Sequence, residues 1–166
     1  REQLEEGFVS TYSDIVYRPA AVEALMRSSH DITLVCDRDW RRRYQGRSEH
    51  PESDAEKLRA DGNRVVELSR TISSEVASGE FIGVMKMSKA GASRFLAAFD
   101  QAAASFADAE VFREGRSFQK AYLIDLLAYM LEQGESMHCV YIDGGYMEID
   151  TQQDASLAQQ WWQEAP

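Results

Sequence analysis

Three carboxylates in two distant segments have the setting that suits chemistry best. Asp14 follows Phe8-Val9-Ser10-Thr11-Tyr12, a β-branched and aromatic run that favours a strand. A carboxylate at the C-terminal end of a strand stands where open α/β sheets bind ligands; the plainer reading is a turn residue or helix cap. Glu148 and Asp150 flank Ile149. In a strand, Tyr146, Glu148 and Asp150 share one face while Met147 and Ile149 take the other. Two carboxylates on one face repel each other unless a cation, a basic side chain or water intervenes; the plainer reading is a solvated edge. Mg2+ prefers oxygen ligands, keeps several waters and typically takes one or two carboxylates plus substrate phosphates. Two acidic strand ends meeting at one point supply that demand.

Other groups carry less. Arg38, Arg41, Arg42, Arg43 and Arg47 fall within ten residues. They can fork onto phosphate or phosphonate oxygens, or form a solvated helix balanced by Asp37, Asp39, Glu49 and Glu52, the favoured reading, with one of the five left to face a site. His30, His50 and His138 are dispersed, and no serine lies in a GxSxG context, so a hydrolase triad has no support. Cys36 and Cys139 sit in apolar runs, as buried free thiols of a reducing cytoplasm do, and no Cys/His cluster suggests structural zinc. Trp161-Trp162 is expected to pack on the domain or on a neighbouring copy, which leaves room for a homo-oligomer.

The elements that must position these residues can be read along the chain. Arg1 to Glu6 has the character of a helix tail closed by Gly7. After the Phe8 run, Ile15-Val16-Tyr17 is followed by a helix opening at Pro19 and running to about Arg27. Asp31 to Cys36 suits a buried strand. Strand, helix, strand is a βαβ unit, by default a right-handed crossover between parallel strands. Asp37 to Asp61 predicts a short helix and a long loop. Strands over about Glu56–Ala60 and Arg64–Leu68 flank the turn residues Asp61-Gly62-Asn63. A strand follows over Glu80–Met87, then a helix from Lys89 to Ala107 with Phe95, Leu96, Phe99 and Phe106 on one side. The next helix, about Phe118 to Gln133, has a buried stripe of Tyr122, Leu123, Leu126, Leu127 and Met130. Strands over Met137–Ile142 and Tyr146–Ile149 surround Asp143-Gly144-Gly145. Thr151 opens the last helix, with Asp154 as its capping-box partner. The sum is α/β: a partial Rossmann-like, mixed, mostly parallel sheet flanked by helices.

At 166 residues the chain fits one domain, and its 44% hydrophobic and 28% charged residues are an ordinary globular balance. No apolar run approaches the roughly 20 residues of a membrane span. With 28 acidic against 18 basic residues the net charge is −10. That field repels nucleic acid and anionic lipid, while local cations still admit a phosphate-bearing small molecule.

The segments YSDI (Tyr12 to Ile15), DRDWRRRYQGRSEHPESDAEK (Asp37 to Lys57), GEFIGVMKMS (Gly79 to Ser88), KAYLIDLL (Lys120 to Leu127) and GGYMEIDTQQD (Gly144 to Asp154) span nearly the whole chain. In that order they resemble the nucleotidyltransferases that activate small phosphorylated molecules, especially the cytidylyltransferase-like domains associated with phosphoenolpyruvate mutase in phosphonate pathways. The resemblance implies a Mg2+ enzyme that transfers a nucleotidyl group from an NTP, with CTP expected, to a small phosphorylated or phosphonate acceptor and releases pyrophosphate. It implies that Asp14 and Asp150 hold the catalytic metal with Glu148 beside them. Ser13 falls in the same substrate-contacting YSDI segment. Glu80 and Gly83 are expected to line the acceptor pocket, Asp125 to help shape it, and Arg70 to stand where relatives carry a phosphate-facing lysine, a swap that changes geometry.

The glycine-rich segment with which such enzymes cradle nucleotide phosphates has no match in this chain. The expectation is one nucleotidyltransferase domain over residues 1–166 that lacks its N-terminal glycine-rich part, comes from the middle of a longer cytoplasmic protein and binds nucleotide poorly by itself. Two alternatives stand beside it: a sugar-1-phosphate nucleotidyltransferase, and a non-catalytic interaction module of the same fold.

Overall fold

Short apolar runs separated by turn residues produce eight strands and five α-helices in the computed structural model, which describes residues 4–164. In order they are β1 (Phe8–Thr11), β2 (Ile15–Tyr17), α1 (Pro19–Arg27), β3 (Ile32–Asp37), α2 (Trp40–Tyr44), β4 (Lys57–Asp61), β5 (Arg64–Ser69), β6 (Gly79–Met87), α3 (Lys89–Ser105), α4 (Leu123–Glu132), β7 (His138–Ile142), β8 (Tyr146–Glu148) and α5 (Gln152–Glu164). Single 3-10 turns at Glu52–Asp54 and Phe118–Lys120 punctuate the loops. The expected helix tail at Arg1 to Glu6 falls partly outside the described residues.

Six strands form one sheet in the order β1-β6-β3-β7-β5-β4. β3 is buried at every position, as a strand flanked on both edges and covered on both faces must be. The mixed α/β architecture matches the expectation, but the pairing direction does not. Only β3 and β7 run parallel; β6 pairs antiparallel with β1, β3 and β4, and β5 pairs antiparallel with β4 and β7. β1 and β3 do point the same way, but β6 lies between them, so the expected βαβ unit is not a pair of neighbours. Hydrophobic pattern identifies a strand without its partner, and nine-residue β6, arriving later in the chain, takes the central edge of both. β2 leaves this sheet altogether and pairs antiparallel with β8 in a separate ribbon.

The larger core lies between one face of the sheet and α3 and α4, with Leu34, Phe81, Met85, Ile124, Leu127 and Met130 among its buried residues. A smaller core under α1 joins Leu25, Val35, Ile82, Val84 and Tyr146. The aromatic stripe expected of α3 is only half used. The helix seats on Gly91, Ala92 and Ala102, and a Cβ on Gly91 would lie 2.4 Å from the Asp31 carbonyl oxygen, so Phe99 is left outside against Phe118. Tyr122, expected to be buried, instead precedes α4 and is 47% exposed. Cys36 and Cys139 are buried free thiols. Among the described residues no helix is long and apolar enough to cross a membrane.

Candidate active site

The β2–β8 ribbon joins the two acidic segments. Ile15 pairs with Glu148, and the Ile149 N–H donates to the Asp14 carbonyl at 2.7 Å. Residues 134 positions apart in sequence thereby reach one place. Asp14, Glu148 and Asp150 line a cavity of about 610 Å3 together with Tyr12, His50, Asp54, Glu56, Arg70, Ala121, Tyr122 and Leu123. Burial, then repulsion from Asp150, Glu80, Glu56 and Asp14, pushes the Glu148 carboxyl up to about 8. Burial likewise raises Glu56 to about 7, against the lowering effect of its bond from the Tyr12 hydroxyl. The cavity is short of positive charge.

Two arginines of the cluster expected to be solvated are buried and brace this region. Arg47 donates from Nε to Asp154 Oδ1 at 2.7 Å, and its NH2 group reaches His50 Nδ1 and the Glu148 carbonyl. Asp154 in turn accepts from the backbone N–H groups of Asp150 and Thr151 at 3.2 and 2.9 Å, while the Thr151 hydroxyl accepts from the Asp154 N–H at 3.1 Å. This is the reciprocal capping box read from the sequence, and it fixes the turn carrying Glu148 and Asp150. Arg43 is buried between Asp37 and Glu80. Arg38, Arg41 and Arg42 do remain on the surface, paired with Asp143, Glu52 and Asp39. Desolvation explains the division: a guanidinium is buried only where carboxylates meet its fork.

Among the described residues, one group has metal-ligand spacing: His50, Glu148 and Asp150 offer atoms within 4.8 Å of one another. His50 lies 3.4 Å from Glu148 and 3.6 Å from Asp150 through its two ring nitrogens. A guanidinium only donates, so Nδ1 of His50 accepts from Arg47 and the ring proton sits on Nε2, toward Glu148. His50 therefore has no lone pair free for an ion, and the carboxylates are the available ligands. Their oxygen chemistry fits a hard divalent cation, with the His50 ring 3.4 Å from the Glu148 carboxylate.

The other expected site residues are placed as follows. Arg70 lines the cavity, donates to Asp54 at 3.0 Å and lies over the Tyr122 ring. Ser13, although exposed between Tyr12 and Asp14, does not line it. Nor does Glu80, expected in the acceptor lining: it is buried within the sheet, where Arg43 and the Tyr44 hydroxyl bond its carboxylate. Gly83 acts one step back from the wall. At φ +74° it leaves open the space taken by the Tyr12 ring, and a Cβ there would lie 2.2 Å from a ring carbon. Asp125 is buried behind the wall, where it accepts from the Tyr122 backbone N–H at 2.8 Å and from Arg116. Sequence reasoning did not single out Tyr12, His50, Asp54, Glu56 or Tyr122 as lining; their spacing follows no motif, and only the fold gathers them.

No family model matches the chain. A CTP:phosphoglutamine cytidylyltransferase of Campylobacter jejuni subsp. jejuni serotype O:2 is 24% identical over 154 residues, which cover 92% of this chain and 59% of that protein. The inositol-1-phosphate CTP transferase from T. maritima superposes with a TM-score of 0.60 at 19% identity, covering 90% of this chain and 51% of that one. A Bacillus anthracis protein described as a glucose-1-phosphate thymidylyltransferase, solved with sucrose, gives 0.58 at 9% identity, covering 98% and 57%. The chain thus spans a little over half the length of these relatives. Its relatives are nucleotidyltransferases acting on phosphorylated substrates, and over that shared length the chain carries their fold.

Proposed function

We propose that this chain is the metal- and acceptor-binding portion of a nucleotidyltransferase that moves a cytidylyl group from CTP to a small phosphorylated or phosphonate acceptor, releasing pyrophosphate. The observation that supports this most is that Asp14, Glu148, Asp150 and Arg70 line one cavity, in which Glu148 and Asp150 belong to the group with metal-ligand spacing. Two relatives with CTP-dependent names favour CTP as the donor. The acceptor oxygen is already anionic near neutral pH and needs no protein base. In-line attack on the α-phosphorus is then a matter of positioning and charge neutralisation. Asp14, Glu148 and Asp150 would hold Mg2+, which when bound stabilises charge on the reacting phosphate oxygens. Arg70 keeps guanidinium N–H groups beyond its bond to Asp54 and would hold the acceptor's anionic group. Ser13 would reach substrate only from outside the cavity, and Glu80, Gly83 and Asp125 would act from behind its wall.

The glycine-rich phosphate cradle belongs, on this reading, to the remaining length of the whole protein. Two buried free thiols suit a reducing cytoplasm. The test is pyrophosphate release by the full-length protein with each of the four NTPs and a panel of phosphate, phosphonate and sugar-1-phosphate acceptors. Mg2+-dependent release with CTP and a small acceptor is expected. Release only with sugar 1-phosphates, or none with any pair, overturns the assignment.

A further inference from the structure

Among the described residues, Glu114 is the one non-glycine residue with a left-handed backbone, at φ +45°. With Gly115, at φ +78°, it fills the two centre positions of a tight turn. Arg113 and Arg116 close that turn, their N–H groups bonding each other's carbonyls at 3.2 and 2.8 Å. Such turns take Asn, Asp or Gly at the centre, and a longer side chain there is strained. The surroundings hold the glutamate in that backbone through its carboxylate. Its side chain folds inward, 18% exposed, and reaches the end of β5, 45 positions earlier. Oε1 accepts from the Ser69 hydroxyl at 2.5 Å and from the Arg70 N–H at 3.2 Å, and Oε2 accepts from Arg116 at 3.0 Å. Burial raises this carboxyl, but the bonds from Ser69, Arg116 and the Arg70 N–H outweigh it and hold it below its ordinary value. An ionised carboxylate takes the one Ser69 proton. The Ser69 oxygen therefore accepts from the Thr71 hydroxyl at 2.7 Å and from the Thr71 N–H at 3.0 Å. The chain is tied down where it leaves β5, with Arg70 in the middle of the tie.

From there Arg70 reaches the cavity, bonded to Asp54 at 3.0 Å and 5.2 Å from the centre of the Tyr122 ring. Arg116 lies 4.5 Å from the centre of the same ring and bonds Asp125, which accepts the Tyr122 N–H at 2.8 Å. Glu114 thus holds Arg70 at its backbone and reaches, through Arg116 and Asp125, the ring on which its guanidinium packs. A long, rotatable side chain is only as well placed as its backbone and its contacts.

Resting on the reading of Arg70 as the anion-holding group of the cavity, we propose that Glu114 is its positioning residue and sets the backbone from which the guanidinium meets an anionic ligand. Glu114→Gly removes the carboxylate and the strain together, whereas Glu114→Gln keeps an acceptor oxygen. The full-length protein in Mg2+ is titrated calorimetrically with inorganic phosphate, and the heteronuclear NOE of the Arg70 Nε–H group reads its order. Glu114→Gly is expected to bind phosphate about tenfold more weakly and to lower that NOE. Glu114→Gln should leave both readouts near wild type. Should Glu114→Gly fail to fold, Glu114→Asn, which the turn also accepts, carries the same expectations. Phosphate affinity or Arg70 order unchanged in Glu114→Gly overturns the proposal, as does equal weakening by Glu114→Gln. If wild type binds no phosphate, the anion-holding reading of Arg70 falls and the NOE alone judges Glu114: loss of order supports it, and unchanged order overturns it.

Discussion

A guanidinium has no acceptor, and that bears on how His50 faces the cavity. Its Nδ1 accepts from Arg47, so Nε2 holds the proton that faces Glu148. Replacing His50 with Ala in the full-length protein should raise the Mg2+ concentration needed for half-maximal activity ~10- to 100-fold, as loss of a ligand-orienting partner does; a Mg2+ activation curve measures it. Asp14→Asn and Asp150→Asn should each lower kcat by ~100-fold or more, because each removes charge that positions the reacting phosphates. Steady-state kinetics with CTP check this, and near-normal turnover in either variant removes that residue from the metal site. Both aspartates could be picked out from the sequence because each ends a strand-like run. His50 could not, since nothing in Glu49-His50-Pro51 marks a histidine that a distant arginine and glutamate enclose. Glu80 was misplaced for a related reason: its position in an acidic strand start does not reveal that Arg43 turns inward to meet it.

The turn from β8 into α5 carries two of the three carboxylates, and one buried network holds it. Burial alone would raise the Asp154 carboxyl, but the bonds from Arg47 and Thr151 outweigh it and hold it down to about 2. The sign follows: the stability Asp154 contributes is fully present above the ordinary carboxylate range, near pH 4, and drains away as pH falls toward 2. Thermal melts should show a gap between wild type and Asp154→Asn that is widest above pH 4 and narrows on acidification; a gap independent of pH contradicts the network. Arg47→Ala leaves Asp154 buried and unpaired, at an expected cost of ~3–5 kcal/mol in denaturant unfolding. Thr151→Ala should cost about 1 kcal/mol, the value of a helix cap. Elements with local signals were legible: the capping box at Thr151, the Gly62-Asn63 hairpin turn and the proline-opened α1 stand where expected. Strand partnership was not. Nothing in Ile15-Val16-Tyr17 says that it quits the main sheet for β8, and the site exists because it does.

Across the whole molecule, a net charge of −10 coexists with a cavity where only one guanidinium meets five carboxylates. That imbalance argues for cations as part of the working site. One end of the β2–β8 ribbon carries Asp14, Glu148 and Asp150, and residues flanking the β4–β5 hairpin, Glu56 and Arg70, join the start of α4 in the lining. The fold class was readable from the alternation of apolar runs and helical stripes, whereas the antiparallel insertion of β6 depends on contacts between segments some 50 residues apart. On the proposed reading a divalent ion is gripped by Asp14, Glu148 and Asp150. Titrating Mn2+ into the full-length protein in the presence of CTP, with free Mn2+ followed by electron paramagnetic resonance, counts that site. One tight site is expected in wild type, weakened ~10-fold or more in the Asp14→Asn/Asp150→Asn double variant. Identical Mn2+ binding by the two proteins would contradict it.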